Sequence, residues 1–289
     1  MSNKKVQKAP LKDKYNKLKE ILNNYLPAGR QVRGLLVAYS GGVDSSLLLK
    51  VACDVIGKNV LAVVARSETY TKEEGESAIK FAKSIGVRYK VIGTNEFNDE
   101  NFLSNPPERC YYCKKELFLK LKDIAKKENI KYVADGSNVS DMADFRPGTN
   151  ASKELGIVSP LREAGFTKED IRALSKQLKL PTWDRPALAC LASRVPYGTR
   201  ISKEILHKIE KGEKYLRSLG LKQVRVRHHG NLARIEVDKE HLCDLVEDGI
   251  ADKIDRKFKG LGYNYVTIDL KGYRIGSMNE VLSLAGKLN

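Results

Sequence analysis

The chain has 289 residues, room for one large domain or two modest ones, and its 42% hydrophobic and 30% charged residues are the balance of an ordinary folded protein rather than a disordered or fibrous one. No apolar run approaches the roughly 18 residues of a membrane span, and the lysine-rich stretch from Met1 to Lys19 lacks the apolar centre of a signal peptide, so a cytoplasmic protein with no membrane partner is expected. The net charge of +16 attracts polyanions such as nucleic acid or phosphate-bearing small molecules, though lysines spread as at Lys114, Lys115, Lys120, Lys122, Lys126 and Lys127 equally describe a solvated surface.

In chain order, residues 12–26 read as an amphipathic helix. Leu35 to Tyr39 is a short apolar run that reads as a buried strand and ends in Ser-Gly-Gly. Val43, Leu47, Leu48, Val51 and Val55 follow at helical spacing, closed by Gly57. Val60 to Ala65 is a second strand. Thr71 with Glu74 reads as a capping box for a helix ending at Gly86, and Val87 to Ile92 as a third strand. A helix from Tyr112 to Glu128 precedes a strand at Tyr132 to Ala134. Strands alternating with helices imply an α/β fold, a parallel sheet with helices on both faces, with ligands beyond the carboxyl ends of the strands. Ser40 and Gly136 both fall there.

The pattern changes after Pro186. A helix from Ser202 to Leu219 is followed by two period-two runs, Val224 to Arg227 and Leu232 to Val237, joined through Gly230-Asn231 as a hairpin. A helix from Lys239 to Phe258 and a strand from Tyr265 to Leu270 complete the chain. The expected organisation is a nucleotide domain over 1–185 and a smaller α+β domain over 186–289.

The segment Ser40-Gly41-Gly42-Val43-Asp44-Ser45-Ser46 joins a strand to a helix. Glycines let the backbone approach phosphates, the hydroxyls of Ser40, Ser45 and Ser46 and the backbone N–H groups donate to phosphate oxygens, and the helix N-terminus adds partial positive charge. Asp44 suits a magnesium ion bridging the phosphates. The loop lacks the Gly-Lys-Ser/Thr of a Walker A sequence. It resembles the PP-loop of the ATP pyrophosphatases, of adenine nucleotide alpha hydrolase-like fold, which implies cleavage of ATP between its α- and β-phosphates and adenylation of a substrate. Arg66 and Ser67 end the second strand. Gly136 and Asn138, with Asp141, Asp144 and Arg146 beyond them, follow a later one. Each is an ordinary polar turn by itself, but their shared edge with Ser40 makes them candidates for nucleotide contact.

There are five cysteines, Cys53, Cys110, Cys113, Cys190 and Cys243, and an odd count in a reducing compartment argues against a disulfide framework. Cys110 and Cys113 form a C-x-x-C, which spacing leaves open between unrelated thiols, a redox pair and metal ligation. Zinc wants four ligands, and the adjacent His228 and His229 point apart on a strand. Cys190 lies in a proline-bracketed segment from Arg185 to Gly198, where Arg194 is placed to stabilise its thiolate. Cys53 and Cys243, within expected helices, read as small buried residues.

The phosphate loop, the approach Asn105 to Cys110, the stretch Asp135 to Gly148, the segment Ala187 to Ile201 and the pair Arg225 and Arg227 together resemble the LarE family, over about residues 12 to 285. Cys190-Leu191-Ala192-Ser193-Arg194 is the most diagnostic piece. The resemblance implies an ATP-dependent sulfur transferase that adenylates the carboxylates of a pyridinium dicarboxylate mononucleotide and converts them to thiocarboxylates, in the biosynthesis of the nickel-pincer nucleotide of lactate racemase. It implies one of two sulfur sources: a sacrificial cysteine at Cys190, or a [4Fe-4S] cluster held by three cysteines with an open iron. Having Cys110 and Cys113 besides Cys190, the sequence resembles the cluster type. Its cofactors would be ATP, magnesium and that cluster, with a sulfide donor as partner, a homo-oligomer as assembly and no nucleic acid. Arg225 and Arg227 share one strand face and suit a phosphate or carboxylate. Glu213 and Asp244 match acidic positions in the family's substrate region, against an alternative reading as solvated helix face. The competing class is a PP-loop tRNA thiolase, which the charge would suit.

Overall fold

The computed structural model describes residues 10–25, 33–143, 147–186 and 189–285. Of the stretches read above, Met1 to Ala9 of the lysine-rich terminus, Leu26, Asp144, Arg146, Ala187 and Leu188 lie outside the described residues. Among the described residues no helix is long and apolar enough to cross a membrane. The chain divides into two compact units, one formed by the described residues of Met1–Arg66, Lys72–Thr94 and Cys113–Ala187, the other by those of Ser67–Thr71, Asn95–Tyr112 and Leu188–Asn289.

The first unit is built on four parallel strands, β1 (Arg33–Ala38), β2 (Val60–Arg66), β3 (Arg88–Gly93) and β4 (Ile130–Ala134), in the order β3-β2-β1-β4. The central strands are apolar on both faces, as a parallel sheet covered by helices requires, and Leu35 to Val37 and Val60 to Val64 are all buried. The helix Val43–Ile56 is itself almost wholly enclosed, with Leu47, Leu48, Leu49, Val51 and Ala52 fully buried. That burial fixes the start of the helix, and with it the phosphate loop, against the sheet. The leading helix Leu11–Asn23 buries Lys14, Leu18 and Leu22, one face at four-residue spacing. Helix Lys72–Ser84 begins directly after Thr71. Helix Lys168–Gln177 has a reciprocal capping box between Thr167 and Asp170, and Lys14 Nζ meets the Asp170 carboxylate at 2.5 Å.

Helix Arg109–Lys127 begins three residues before the expected Tyr112, so Cys110 and Cys113 both sit on its opening turns. Further along it, Phe118, Leu121 and Ala125 face inward.

In the second unit, β5 (Val224–His229) and β6 (Leu232–Val237) form the expected hairpin, with His229 opposite Leu232 across the Gly230-Asn231 turn, and β7 (Tyr265–Ile268) runs parallel to β6. Helix Lys203–Ser218, capped by the Ser202 hydroxyl, lays Leu206, Ile209, Gly212, Glu213 and Leu216 inward. The expected helix over 239–258 is instead two short 3-10 turns, Lys239–His241 and Cys243–Val246, followed by helix Ile250–Gly260. The backbone turns left-handed at Gly249 (φ 77°), which separates the pieces although their apolar spacing mimics a continuous helix. Cys243 is consequently exposed on a turn, not buried in a helix; Cys53 is in its helix and half-buried. The last strand stops at Ile268, two residues short of the expected Leu270.

Candidate functional site

The phosphate loop leaves β1 at its carboxyl end and turns into helix Val43–Ile56 through Gly42. Gly41 has φ 77°, and a Cβ there would stand 2.9 Å from the Ala78 Cβ, so both backbone and space exclude a larger residue. Ser40 and Ser45 bring their hydroxyls to 3.1 Å of each other, and the Ser45 hydroxyl donates to the Gly42 carbonyl at 3.3 Å. Ser46 points the other way: its side chain is fully buried, 3.2 Å from the Tyr39 hydroxyl, and anchors the loop to the core. Burial pushes the Tyr39 phenol up to about 12.

Gly136, after β4, touches this loop. A Cβ at Gly136 would lie 3.0 Å from the Ser45 amide nitrogen, so the close approach needs glycine. Its neighbour Asp135 is buried and accepts from the hydroxyls of Ser137 at 2.7 Å and Ser159 at 2.7 Å, which fixes the turn. Asn138, also buried, accepts from the Ser140 N–H while its own N–H donates to Asp141. Arg66 is exposed at the end of β2. Ser67 belongs to the second unit, its hydroxyl 2.6 Å from that of Thr69.

Two cations reach the phosphate loop that sequence reasoning missed. Arg185 donates to the Gly41 carbonyl at 2.9 Å and to the Ser77 hydroxyl at 2.6 Å. Lys168 places its Nζ 2.5 Å from Asp44 Oδ2. The Thr-x-x-Asp capping signature at 167–170 announces the helix that carries Lys168, but its partner lies more than a hundred residues away and leaves no local trace. The Asp44 carboxylate at a helix start, beside two hydroxyls, is an oxygen-donor set that fits magnesium held jointly with phosphates.

In the second unit, Cys190 is half-buried beside Cys110, and burial pushes its thiol up, opposed by the guanidinium of Arg109 and raised further by Cys110. Arg109 is buried, donates to the Ala192 carbonyl at 3.0 Å and is held by the Asn105 side-chain oxygen. Asn105 in turn donates to the Pro196 and Thr199 carbonyls at 2.7 and 3.0 Å. The Leu191 N–H reaches the Thr69 carbonyl at 2.8 Å. This network gives the Cys190 segment a fixed shape around a single short 3-10 turn, Leu191–Arg194.

Arg109, then, is the cation facing the Cys190 thiol, and the expectation for Arg194 is corrected. The Arg194 guanidinium is bound to Glu213 at 2.8 and 3.2 Å and donates to the Ala189 and Cys190 carbonyls at 2.6 and 2.9 Å, so it holds the backbone at Cys190. Cys113 follows Cys110 by three residues on one helix, a spacing that puts both on one face. Among the described residues no three His, Cys, Asp or Glu side chains converge on a single-ion site. A [4Fe-4S] cluster takes one thiolate per iron, so its ligands stand further apart, and three thiols of this kind fit it chemically.

Glu213 is 1% exposed, which overturns its reading as a solvated helix face. Burial raises its carboxyl, but the charges and hydrogen bonds of Arg194, with Arg225 and Arg217, overcome this and hold it at about 2. Arg225 stacks over the Tyr273 ring at 5.2 Å, and burial with the nearby Arg194 lowers its guanidinium to about 10. Arg227 donates to Glu236 at 2.6 Å and to the Ser277 hydroxyl at 2.9 Å. Three buried arginines, Arg194, Arg225 and Arg227, thus meet two buried glutamates, Glu213 and Glu236, around β5. Asp244 is set apart in character: it is half-exposed on a surface turn, 2.7 Å from His241 Nδ1.

A parallel sheet with a Ser-Gly-Gly-Val-Asp-Ser loop at the end of its first strand defines an ATP-using protein of the PP-loop class. In agreement, the NAD synthase family matches residues 14–105. The chain is 46% identical to an uncharacterised protein of Synechocystis over 86% of its length and 92% of that protein's. It is 40% identical to the pyridinium-3,5-bisthiocarboxylic acid mononucleotide synthase of Lactiplantibacillus plantarum over 89% of its length and 92% of the synthase. It is 33% identical to an uncharacterised protein of Methanocaldococcus jannaschii over 88% of its length and 96% of that protein's. The chain belongs to the family of these synthases, the LarE family.

Proposed function

We propose that this chain is an ATP-dependent sulfur transferase that adenylates the carboxylates of a pyridinium-3,5-dicarboxylate mononucleotide, releasing pyrophosphate, and converts them to thiocarboxylates. The 40% identity to the bisthiocarboxylic acid mononucleotide synthase, spread over 89% of the chain, carries this reading. In it, the backbone amides of Gly42 to Ser45 and the hydroxyls of Ser40 and Ser45 bind the phosphates, and Asp44 shares magnesium with them. Arg66, Gly136 and Asn138 are the proposed neighbours of the nucleoside, with Ser67 also assigned there. Arg225 and Arg227 are assigned to the anionic groups of the substrate, Glu213 to their orientation, and Asp244 to the substrate region. Arg194 sets the backbone that presents Cys190.

Cys110, Cys113 and Cys190 are proposed to hold a [4Fe-4S] cluster, which when bound supplies the sulfur. The reading calls for an external sulfide donor and a homo-oligomer. It is tested by incubating the anaerobically purified chain with ATP, magnesium, sulfide and the dicarboxylate mononucleotide. AMP, pyrophosphate and a product in which sulfur replaces oxygen are expected by chromatography and mass spectrometry. ADP as the main nucleotide product would sink the assignment, and turnover with transfer RNA in place of the mononucleotide would favour the thiolase class.

A further inference from the structure

The residues that wrap the phosphates, Ser40 to Ser46, include no lysine or arginine. Their amides and the helix N-terminus supply about half a positive charge. That is a small counterweight to a departing pyrophosphate, so a cation from elsewhere in the fold is needed. Arg185 is engaged on both sides, by the Gly41 carbonyl and the Ser77 hydroxyl, and serves to brace the loop. Lys168 is placed otherwise. Its Nζ lies 2.5 Å from Asp44 Oδ2, and its side chain is 31% exposed, so the ammonium stands at the open side of the loop.

The backbone beneath Lys168 is held firmly. Thr167 and Asp170 close a capping box around it, the Lys168 N–H donates to the Ser140 hydroxyl at 3.0 Å, and Lys14 pins Asp170 at 2.5 Å. The movable part is the four-carbon stem with its rotatable ammonium. Its partner is the same carboxylate that suits magnesium, and one carboxylate oxygen cannot serve both cations at full strength.

We propose that Lys168 is the exchangeable cation of the phosphate site: it occupies Asp44 before nucleotide binds, releases it to the metal, and moves onto the β- and γ-phosphates. The inference rests on the reading that ATP is cleaved here. In that reaction the substrate carboxylate oxygen forms a bond to the α-phosphorus, the bond from that phosphorus to the α,β-bridging oxygen breaks, and the electron pair leaves with pyrophosphate. No proton is transferred, so the ammonium acts by its charge and hydrogen bonds, neutralising the leaving group as the bridging bond breaks.

Calorimetry on the full chain, titrating pyrophosphate and AMP separately with and without magnesium, tests this. With magnesium present, Lys168→Met should weaken pyrophosphate about tenfold, the loss of a charge-assisted hydrogen bond, and leave AMP unchanged. Lys168→Arg should recover most of that loss. Asp44→Asn, which frees Lys168 without metal, should bind pyrophosphate in metal-free buffer more tightly than the unaltered chain. Equal loss of AMP and pyrophosphate in Lys168→Met, or no loss of either, overturns the proposal, as does metal-free pyrophosphate binding no tighter in Asp44→Asn. If the unaltered chain binds neither ligand, the ATP reading itself fails.

Discussion

Arg194 and Glu213 form a two-pronged ion pair, Nε to Oε1 at 2.8 Å and Nη2 to Oε2 at 3.2 Å, with 3% and 1% of their side chains exposed. Glu213 also accepts from the Val226 N–H at 3.2 Å, so one carboxylate ties the helix Lys203–Ser218 to β5 and, through Arg194, to the backbone at Cys190. Removing the carboxylate leaves a buried guanidinium uncompensated. Glu213→Ala should destabilise the second unit by about 3–5 kcal/mol in a denaturant titration. A midpoint unmoved by this change would show that the pair carries no stability.

The same carboxylate gives the pH dependence a sign. Its folded-state pKa is about 2, against an ordinary value of 4.5. A depressed carboxyl contributes stability fully above its unfolded pKa and loses it as pH falls through the folded value. Thermal stability should therefore drop between roughly pH 4.5 and 2 in the unaltered chain, and part of that drop should vanish in Glu213→Gln. An identical acid limb in both proteins would assign the acid sensitivity elsewhere.

The parallel sheet is legible in the sequence because buried parallel strands are short apolar runs and each is punctuated by a helix. That placement alone puts Ser40 and Gly136 on one edge, and the structure brings Gly136 against Ser45. What escapes the sequence are long-range partners of irregular segments. The Thr69 carbonyl accepts from the Leu191 N–H, Asn105 and Arg109 donate to carbonyls of the Cys190 segment, and such bonds impose no periodicity on either stretch. Arg194 is sequentially nearest to Cys190 and so attracts the assignment, whereas the guanidinium whose charge opposes the effect of burial on the Cys190 thiol is that of Arg109. The opposite error occurs at 239–258, where Leu242, Val246, Ile250, Ile254 and Phe258 keep four-residue helical spacing across a backbone that turns left-handed at Gly249.

Gly41 offers a sharp test of the nucleotide site. Alanine there meets both a left-handed backbone and a 2.9 Å contact with Ala78, so the loop must shift. Gly41→Ala should lose ATP binding by at least about tenfold, since misplacing the amides forfeits more than one phosphate hydrogen bond. The fold should survive with a modest loss of melting temperature, because the strain falls on a surface loop. Normal ATP affinity by calorimetry would remove the loop from the site.

Arg225 is the cleaner probe of the substrate face than Arg227, whose removal would cost the buried Glu236 its 2.6 Å ion pair and leave it with Arg234 and the Ser277 hydroxyl. Arg225→Gln keeps a polar planar group over the Tyr273 ring while deleting the charge. Affinity for the mononucleotide should fall about tenfold or more, with ATP affinity unchanged. Substrate titration giving the same affinity as the unaltered chain would return Arg225 to a purely structural role.

The cysteines separate the two sulfur sources. Cys110 and Cys190 neighbour each other in one unit, Cys113 follows one helical turn beyond Cys110, and Cys53 and Cys243 lie on other elements. Burial drives the Cys53 thiol up to about 12, so it is a poor thiolate at neutral pH, and Cys243 stands on a surface turn. If three thiolates hold a cluster, Cys110→Ser, Cys113→Ser and Cys190→Ser should each abolish broad visible absorption, bound iron and repeated sulfur transfer together. Cys53→Ser and Cys243→Ser should retain all three properties. The alternative makes a different pattern. A sacrificial Cys190 would leave Cys110→Ser and Cys113→Ser fully active, limit each chain to one turnover, and strip the mass of hydrogen sulfide from the peptide bearing residue 190. Anaerobic purification, an iron count and peptide mass spectrometry on the five variants therefore decide between a cluster that is reloaded and a side chain that is spent.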